Sequence, residues 1–219
     1  MSQYVDLMIN YPKPKNRLSE RIYPSIEDKK IAKKFGSEFF DGERKYGYGG
    51  FNYNPIFWEK TVNLFKEFYK LKSDAKILDI GCAKGFMMVD FVKLMPEVQI
   101  YGIDISEYAI KKTHELAKGK TLVANCLNLP FPDKYFDLVI SINTIHNLDI
   151  PGCIQSIKEI ERVKKSKSYL VVDGWSTMEE KKDLEAWVLT AETVLNTQDW
   201  EKLFKDTGYT GNYSFWNVK

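Results

Sequence analysis

Asp79, Gly81 and Gly85 stand close together in the run Ile77-Leu78-Asp79-Ile80-Gly81-Cys82-Ala83-Lys84-Gly85-Phe86. The apolar start reads as a buried strand that enters a turn and then a helix. Gly81 supplies backbone angles closed to other residues, and Gly85 lets the helix begin close to the strand and to a ligand. The first N–H groups of that helix have no intrahelical partner, so they face an anionic or polar group. A second acid, Asp104, ends the run Tyr101-Gly102-Ile103-Asp104-Ile105, 23 positions after Gly81. A carboxylate at the end of the second strand can accept both hydroxyls of a ribose.

Nicotinamide oxidoreductases use the same geometry, so the turn has to separate the readings. Their turn is G-x-G-x-x-G, which brings backbone N–H groups to a pyrophosphate. This chain has Asp-x-Gly-x-x-x-Gly, and Asp79 would repel a pyrophosphate but suit an amine. S-adenosylmethionine carries an amine, a carboxylate and a sulfonium, with no phosphate. A nicotinamide-dependent oxidoreductase stays as the alternative.

These residues need a scaffold, and from about residue 76 the pattern supplies one. Strands are expected at Lys76 to Ile80, Val98 to Ile103, Thr121 to Ala124, Phe136 to Ile142 and Tyr169 to Val172. Helices are expected at Lys84 to Met95, Ser106 to Ala117, Gly152 to Val163 and Glu179 to Leu195. A short helix, Gln198 to Lys205, follows a Thr197 cap, and Tyr209 to Val218 supplies a last strand or a hairpin. The alternation predicts an α/β fold with a mostly parallel sheet and helices on both faces. Residues 1–70 differ, with prolines at 12, 14, 24 and 55 and the run Gly47-Tyr48-Gly49-Gly50. They read as an N-terminal extension packing on a domain of residues 71–219, with a helix from Pro55 to Lys70.

Four pieces resemble class I S-adenosylmethionine-dependent methyltransferases. They are Leu78-Asp79-Ile80-Gly81-Cys82-Ala83-Lys84-Gly85, Gly102-Ile103-Asp104-Ile105-Ser106, Asn125-Cys126-Leu127-Asn128-Leu129-Pro130-Phe131 and Phe136-Asp137-Leu138-Val139-Ile140. The resemblance implies a Rossmann-like methyltransferase fold with a seven-stranded sheet and S-adenosyl-L-methionine as cofactor. It implies that Asp79 and Gly81 lie along the methionine part, that Cys82, Ala83 and Gly85 of the same turn also bind the cofactor, and that Asp104 holds the ribose. It also places Ile105 on the adenine, Asn125 and Cys126 at the adenine edge, and Asn143 in the loop after the fourth strand, which faces the sulfonium and the acceptor. Two positions depart from the family: its middle glycine is Ala83, and Lys84 is bulky for a helix start.

Candidates for the acceptor's proton are His146 after the fourth strand, Asp173 after the fifth, and Tyr48 among the tyrosines of residues 46–53. Tyr46, Tyr48, Phe51 and Tyr53, spaced by Gly47, Gly49 and Gly50, suit a lid over a small acceptor. His146 packed under a helix, and Asp173 capping a loop, are the structural alternatives. The GYGGF run also resembles small methyltransferases of bacterial sugar and polysaccharide pathways. The fourth strand lacks the Asn/Asp-Pro-Pro-aromatic pattern of enzymes acting on nucleic-acid bases. The predicted reaction is methyl transfer to an oxygen or nitrogen of a small molecule, and the further alternative is an inactive methyltransferase-like binding domain.

Composition agrees. Lys and Arg number 32 against 30 acids, a net charge of +2 that demands neither nucleic acid nor a membrane. Three cysteines, Cys82, Cys126 and Cys153, have no metal-ligand spacing and suit a reducing cytoplasm. No metal site is expected. The N-terminal stretch has no basic start before an apolar core, and no segment approaches roughly 18 uncharged apolar residues, so neither signal peptide nor membrane span is expected. Oligomeric state is not legible.

Overall fold

A computed structural model describes residues 2–12 and 24–216. Its strands are β1 (Gln3–Tyr4), β2 (Lys76–Ile80), β3 (Gln99–Asp104), β4 (Thr121–Val123), β5 (Phe136–Ile142), β6 (Lys164–Trp175), β7 (Leu195–Asn196) and β8 (Asn212–Trp216). Seven of them form one sheet in the order β1-β8-β6-β5-β2-β3-β4, and β7 pairs with β6 off that path. Every strand pairing among the described residues is parallel. The helices are α1 (Ile26–Ala32), α2 (Ser37–Asp41), α3 (Pro55–Tyr69), α4 (Phe86–Leu94), α5 (Glu107–Lys111), α6 (Ile150–Val163), α7 (Met178–Trp187) and α8 (Thr197–Asp206).

Strands buried on both faces send alternate residues into two cores. Ile77, Leu138, Ile140, Tyr169 and Val171 pack with Val62 and Phe65 of α3 and Phe91 of α4. Leu78, Ile80, Val139, Leu170 and Val172 pack on the opposite face with Ile157 and Ile160 of α6 and Trp200 and Phe204 of α8. A register shift between Phe136 and Leu138 puts Phe136 in the second core with Val139, three residues on. Asn54 caps α3 with Pro55 as its first residue, and Asp149 caps α6 through Gly152 N–H.

Three expectations are corrected, two of them by tertiary contacts and one by a local cap. The helix expected to run to Leu195 ends at Trp187, because the N–H groups of Leu189, Glu192 and Thr193 bond to the Tyr48 hydroxyl and the His146 carbonyl. The helix expected to reach Ala117 stops at Lys111, where His114 N–H bonds to the Lys84 carbonyl, and a 3-10 turn covers Glu115–Ala117. Asn196, rather than Thr197, caps α8 by accepting Asp199 N–H at 2.7 Å. Of the two forms expected for the tail, the last strand is the one observed: β8 lies parallel to β6, with residues 217 and 218 outside the described set. The N-terminal extension also enters the core, since β1 pairs with β8 and Leu7 and Met8 are buried in the first core.

Candidate active site

Because β2, β3, β5 and β6 run parallel, their carboxyl ends lie along one edge of the sheet. Two cavities lie there, of about 490 Å³ and 360 Å³. Gly81, Ala83, Ile142, Asn143, Asn147 and Phe39 line both, so the two are chambers of one trough that narrows over the turn after β2.

Backbone shape sets the narrow point. Gly81 has φ of +80°, and a Cβ there would lie 2.1 Å from Thr144 Oγ1, so any side chain would collide with the loop after β5. Ala83 and Asn143 also take left-handed angles, φ of +50° and +52°. Alanine replaces the expected glycine at a cost in backbone strain of order 1 kcal/mol. Its N–H donates to Asp104 Oδ2 at 2.8 Å, which helps to hold that conformation. Gly85 lines neither chamber; it caps α4 with φ of +75°, against Ala117.

The remaining expected residues divide between the chambers. Asp104, Ile105, Asn125 and Cys126 line the smaller one. Asp79, Cys82, His146, Asp173 and Tyr48 line the larger. Asp79 is 4% exposed, and burial, then the nearby Asp104 carboxylate, push its pKa up to about 8. Burial raises Asp104 too, opposed by hydrogen bonds from the backbone of Ser106, Ala83 and Ile105. Asn125 Oδ1 accepts Leu127 N–H at 2.9 Å, which leaves one lone pair of that oxygen for another donor. Burial raises the thiols of Cys82 and Cys126, so neither is an activated nucleophile.

Nδ1 of His146 accepts the backbone N–H of Asp173 at 2.8 Å, and Nε2 lies 3.7 Å from Asp173 Oδ2. Burial lowers the histidine's pKa, opposed by that carboxylate. A neutral ring that accepts at Nδ1 carries its proton on Nε2. The Tyr48 hydroxyl accepts Leu189 N–H at 2.8 Å, and its ring packs on Trp187 and Phe39.

The N-terminal segment covers the trough in a different way from the expected lid. Tyr48, Gly49, Gly50 and Asn52 line the larger chamber, but Tyr46, Phe51 and Tyr53 line neither. Tyr53 instead donates to Asp90 Oδ1 on α4 at 2.6 Å. Lys84 stays out of the trough: its ammonium donates to Asp41 Oδ1 at 2.6 Å and to the Phe51 carbonyl. Sequence reasoning missed Phe39, Asn147, Trp187 and Thr190 as lining residues. Asn147 lies in the loop already singled out for His146, which was the one available signal.

Among the described residues no three His, Cys, Asp or Glu side chains are grouped to hold a metal ion, and no helix is long and apolar enough to cross a membrane.

The profile of a family described as "Methyltransferase domain" matches residues 71–208. The chain is 32% identical over 123 residues to an uncharacterized methyltransferase of Schizosaccharomyces pombe, covering 51% of this chain and 43% of that protein. It is 31% identical over 125 residues to the tRNA (carboxymethyluridine(34)-5-O)-methyltransferase of Arabidopsis thaliana, covering 56% of this chain and 29% of that protein. The chain thus spans less than half the length of these relatives. A solved protein of Anabaena variabilis, described as a "Putative methyltransferase from antibiotic biosynthesis pathway", shares the fold, with a TM-score of 0.54 and 20% identity over 67% of this chain and 59% of that one.

Proposed function

Since the chain belongs to the methyltransferase-domain family, we propose that it transfers a methyl group from S-adenosyl-L-methionine to an oxygen or nitrogen of a small molecule. The observation that carries this reading is the two-chambered trough, with Asp104 in one chamber, Asp79 in the other and Gly81 at the waist. An elongated ligand with a ribose and an amino acid end fits such a shape. The side-chain oxygens of Asn143 and Asn147, at the waist, are buried and have no hydrogen-bond partner among the described residues, which supports a missing polar ligand there. When bound, S-adenosylmethionine supplies a methyl group on a sulfonium whose leaving group is neutral.

The protein's part is to bind, orient and keep out water. Asp104 would accept the ribose hydroxyls, with Ile105 against the adenine and Asn125 and the Cys126 backbone at its edge. Asp79 would face the amine, while the Gly81-Cys82-Ala83 turn lies along the methionine part and Asn143 faces the sulfonium. The acceptor would occupy the rest of the larger chamber, among Tyr11, Tyr48, Phe57, Trp58 and Trp187. Its proton would pass to the Asp173 carboxylate, with His146 donating from Nε2 to position that carboxylate or the acceptor.

The small-molecule reading rests on this aromatic enclosure and the near-neutral charge. A sugar-like ring is one acceptor that aromatic walls with Asn52 and Asn54 would suit. None of the relatives described above points to a nicotinamide oxidoreductase. Calorimetry with S-adenosylhomocysteine, followed by turnover against a panel of sugars, phenols, amines and tRNA, tests the reading. No heat at millimolar ligand would remove the cofactor assignment, and turnover of tRNA alone would remove the small-molecule one.

A further inference from the structure

Resting on that cofactor reading, we propose that the N-terminal segment is half of the adenosine site. Phe35, Phe39 and Phe40 would roof the smaller chamber over the purine, and Lys84 would be the positioning residue that holds the roof down through Asp41.

The smaller chamber has two walls of different origin. Ile103, Asp104 and Ile105 at the end of β3, with Ala124, Asn125 and Cys126 after β4 and Thr144 and Leu148 after β5, form one, and Lys33, Phe35, Phe39 and Phe40 form the other. A purine needs apolar surface on both faces to leave water, and the sheet offers only one. The second comes from α2 and the turn that precedes it. Phe35 holds that turn at φ of +47°, an angle costly for a residue with a Cβ, which persists only where surrounding contacts enforce it.

Side-chain contacts enforce it here. Ser106 Oγ donates to the Phe35 carbonyl at 2.5 Å. Asp41 Oδ1 accepts from the Lys84 ammonium at 2.6 Å, and Asp41 Oδ2 accepts from the Tyr108 hydroxyl at 2.8 Å. The Phe40 ring stacks on Tyr108 with centroids 6.4 Å apart. The Lys84 side chain is only 6% exposed, so without Asp41 its charge would be left buried with the Phe51 carbonyl as its other partner.

Both latch points adjoin the ribose carboxylate. Ala83 N–H, one residue before Lys84, donates to Asp104 Oδ2, and Ser106 N–H donates to Asp104 Oδ1. The backbone that shapes Asp104 therefore also carries the side chains that hold the roof. This accounts for a lysine at a helix start where bulk is otherwise unfavourable. Contact of the roof with the purine adds apolar burial at the adenosine end alone.

The experiment compares S-adenosylhomocysteine with 5′-methylthioadenosine, which keeps the adenosine and lacks the amino acid end. Phe40→Ala and Asp41→Asn should weaken both ligands by the same factor, roughly tenfold, and raise both off-rates in stopped flow. Asp41 is one-third exposed and asparagine keeps a side-chain oxygen for the Lys84 ammonium, so a cooperative thermal melt of Asp41→Asn should show that the fold survives. Lys84→Met should match Asp41→Asn, and Lys84→Arg should restore most of the affinity. Asp79→Asn serves as the contrast, weakening S-adenosylhomocysteine and leaving 5′-methylthioadenosine nearly unchanged. Wild-type affinity for both ligands in Phe40→Ala and Asp41→Asn would overturn the roof. So would a loss confined to S-adenosylhomocysteine. If the unaltered protein binds neither ligand, the cofactor reading fails and the roof fails with it.

Discussion

His146 and Asp173 hold each other twice: Nδ1 of the ring accepts the aspartate's own backbone N–H at 2.8 Å, while Nε2 faces its carboxylate at 3.7 Å. With Nδ1 occupied and the proton on Nε2, the neutral imidazole is a donor. To act as a base it would have to give up the bond to the Asp173 backbone.

This bears on stability against pH. Burial lowers the His146 pKa, so the folded state binds fewer protons than the unfolded state near and below the ordinary value of 6.5. The unfolded chain is therefore favoured as pH falls through that value, and the histidine's contribution is recovered above it. Thermal melts from pH 5 to 8 should show a smaller acid-side loss in His146→Gln than in the parent protein. Parallel melting curves would mean that the ring titrates alike in the folded and unfolded chains.

Asp79 titrates in the opposite sense. With a pKa raised to about 8, the folded state keeps a proton that the unfolded state releases near 3.8. Its burial therefore costs increasing stability as pH rises from about 4 to 8. Asp79→Asn should raise Tm at pH 8 by roughly 2–8 °C and weaken S-adenosylhomocysteine. Binding of an amine beside Asp79 should also expel that proton at pH 7. Calorimetry in phosphate and in Tris would then give different apparent enthalpies, and Asp79→Asn should abolish the difference.

Asp104 combines ligand and scaffold duties. Asp104→Ala should weaken S-adenosylhomocysteine by about 1.5–3 kcal/mol, the size of hydrogen bonds to a charged group. Asp104→Asn keeps one acceptor for Ala83 or Ser106 N–H and should lose less. An unchanged dissociation constant in the alanine variant would place the ribose elsewhere.

Tyr48→Phe removes the acceptor for Leu189 N–H and keeps the ring on Trp187. Stability should fall by about 1 kcal/mol, and the acceptor KM should rise while cofactor affinity holds. A fall in kcat with KM unchanged would instead give the hydroxyl a transition-state role. Removing residues 1–54 is not a clean test of the acceptor wall, because β1, Leu7 and Met8 would leave the core with it.

Much of the floor of the trough was legible in the sequence because it is local. Ile77, Leu78, Asp79 and Gly81 carry strand, acid and turn within a few residues, and the Asp104 run repeats strand and acid. Strand β5 and helix α6 follow from apolar periodicity alone. The length of α7 was not legible: its last carbonyls lose their donors to a tyrosine 141 positions away and to the His146 carbonyl.

What the sequence by itself determined is the parallel α/β scaffold and the carboxylates at its strand ends, since hydrophobic period, glycine and strand-end acids act over short stretches of chain. Tertiary structure alone decided how the other wall is shared out. The aromatic run of residues 46–53 sends Tyr48 to the larger chamber and Tyr53 to α4, while Phe35, Phe39 and Phe40, unmarked by any motif, close the smaller one. Composition makes all these rings equally apt to cover a ligand. Which of them does so depends on Lys84, Ser106 and Tyr108 finding Asp41 and Phe35, contacts between residues 43 to 71 positions apart that no local pattern encodes.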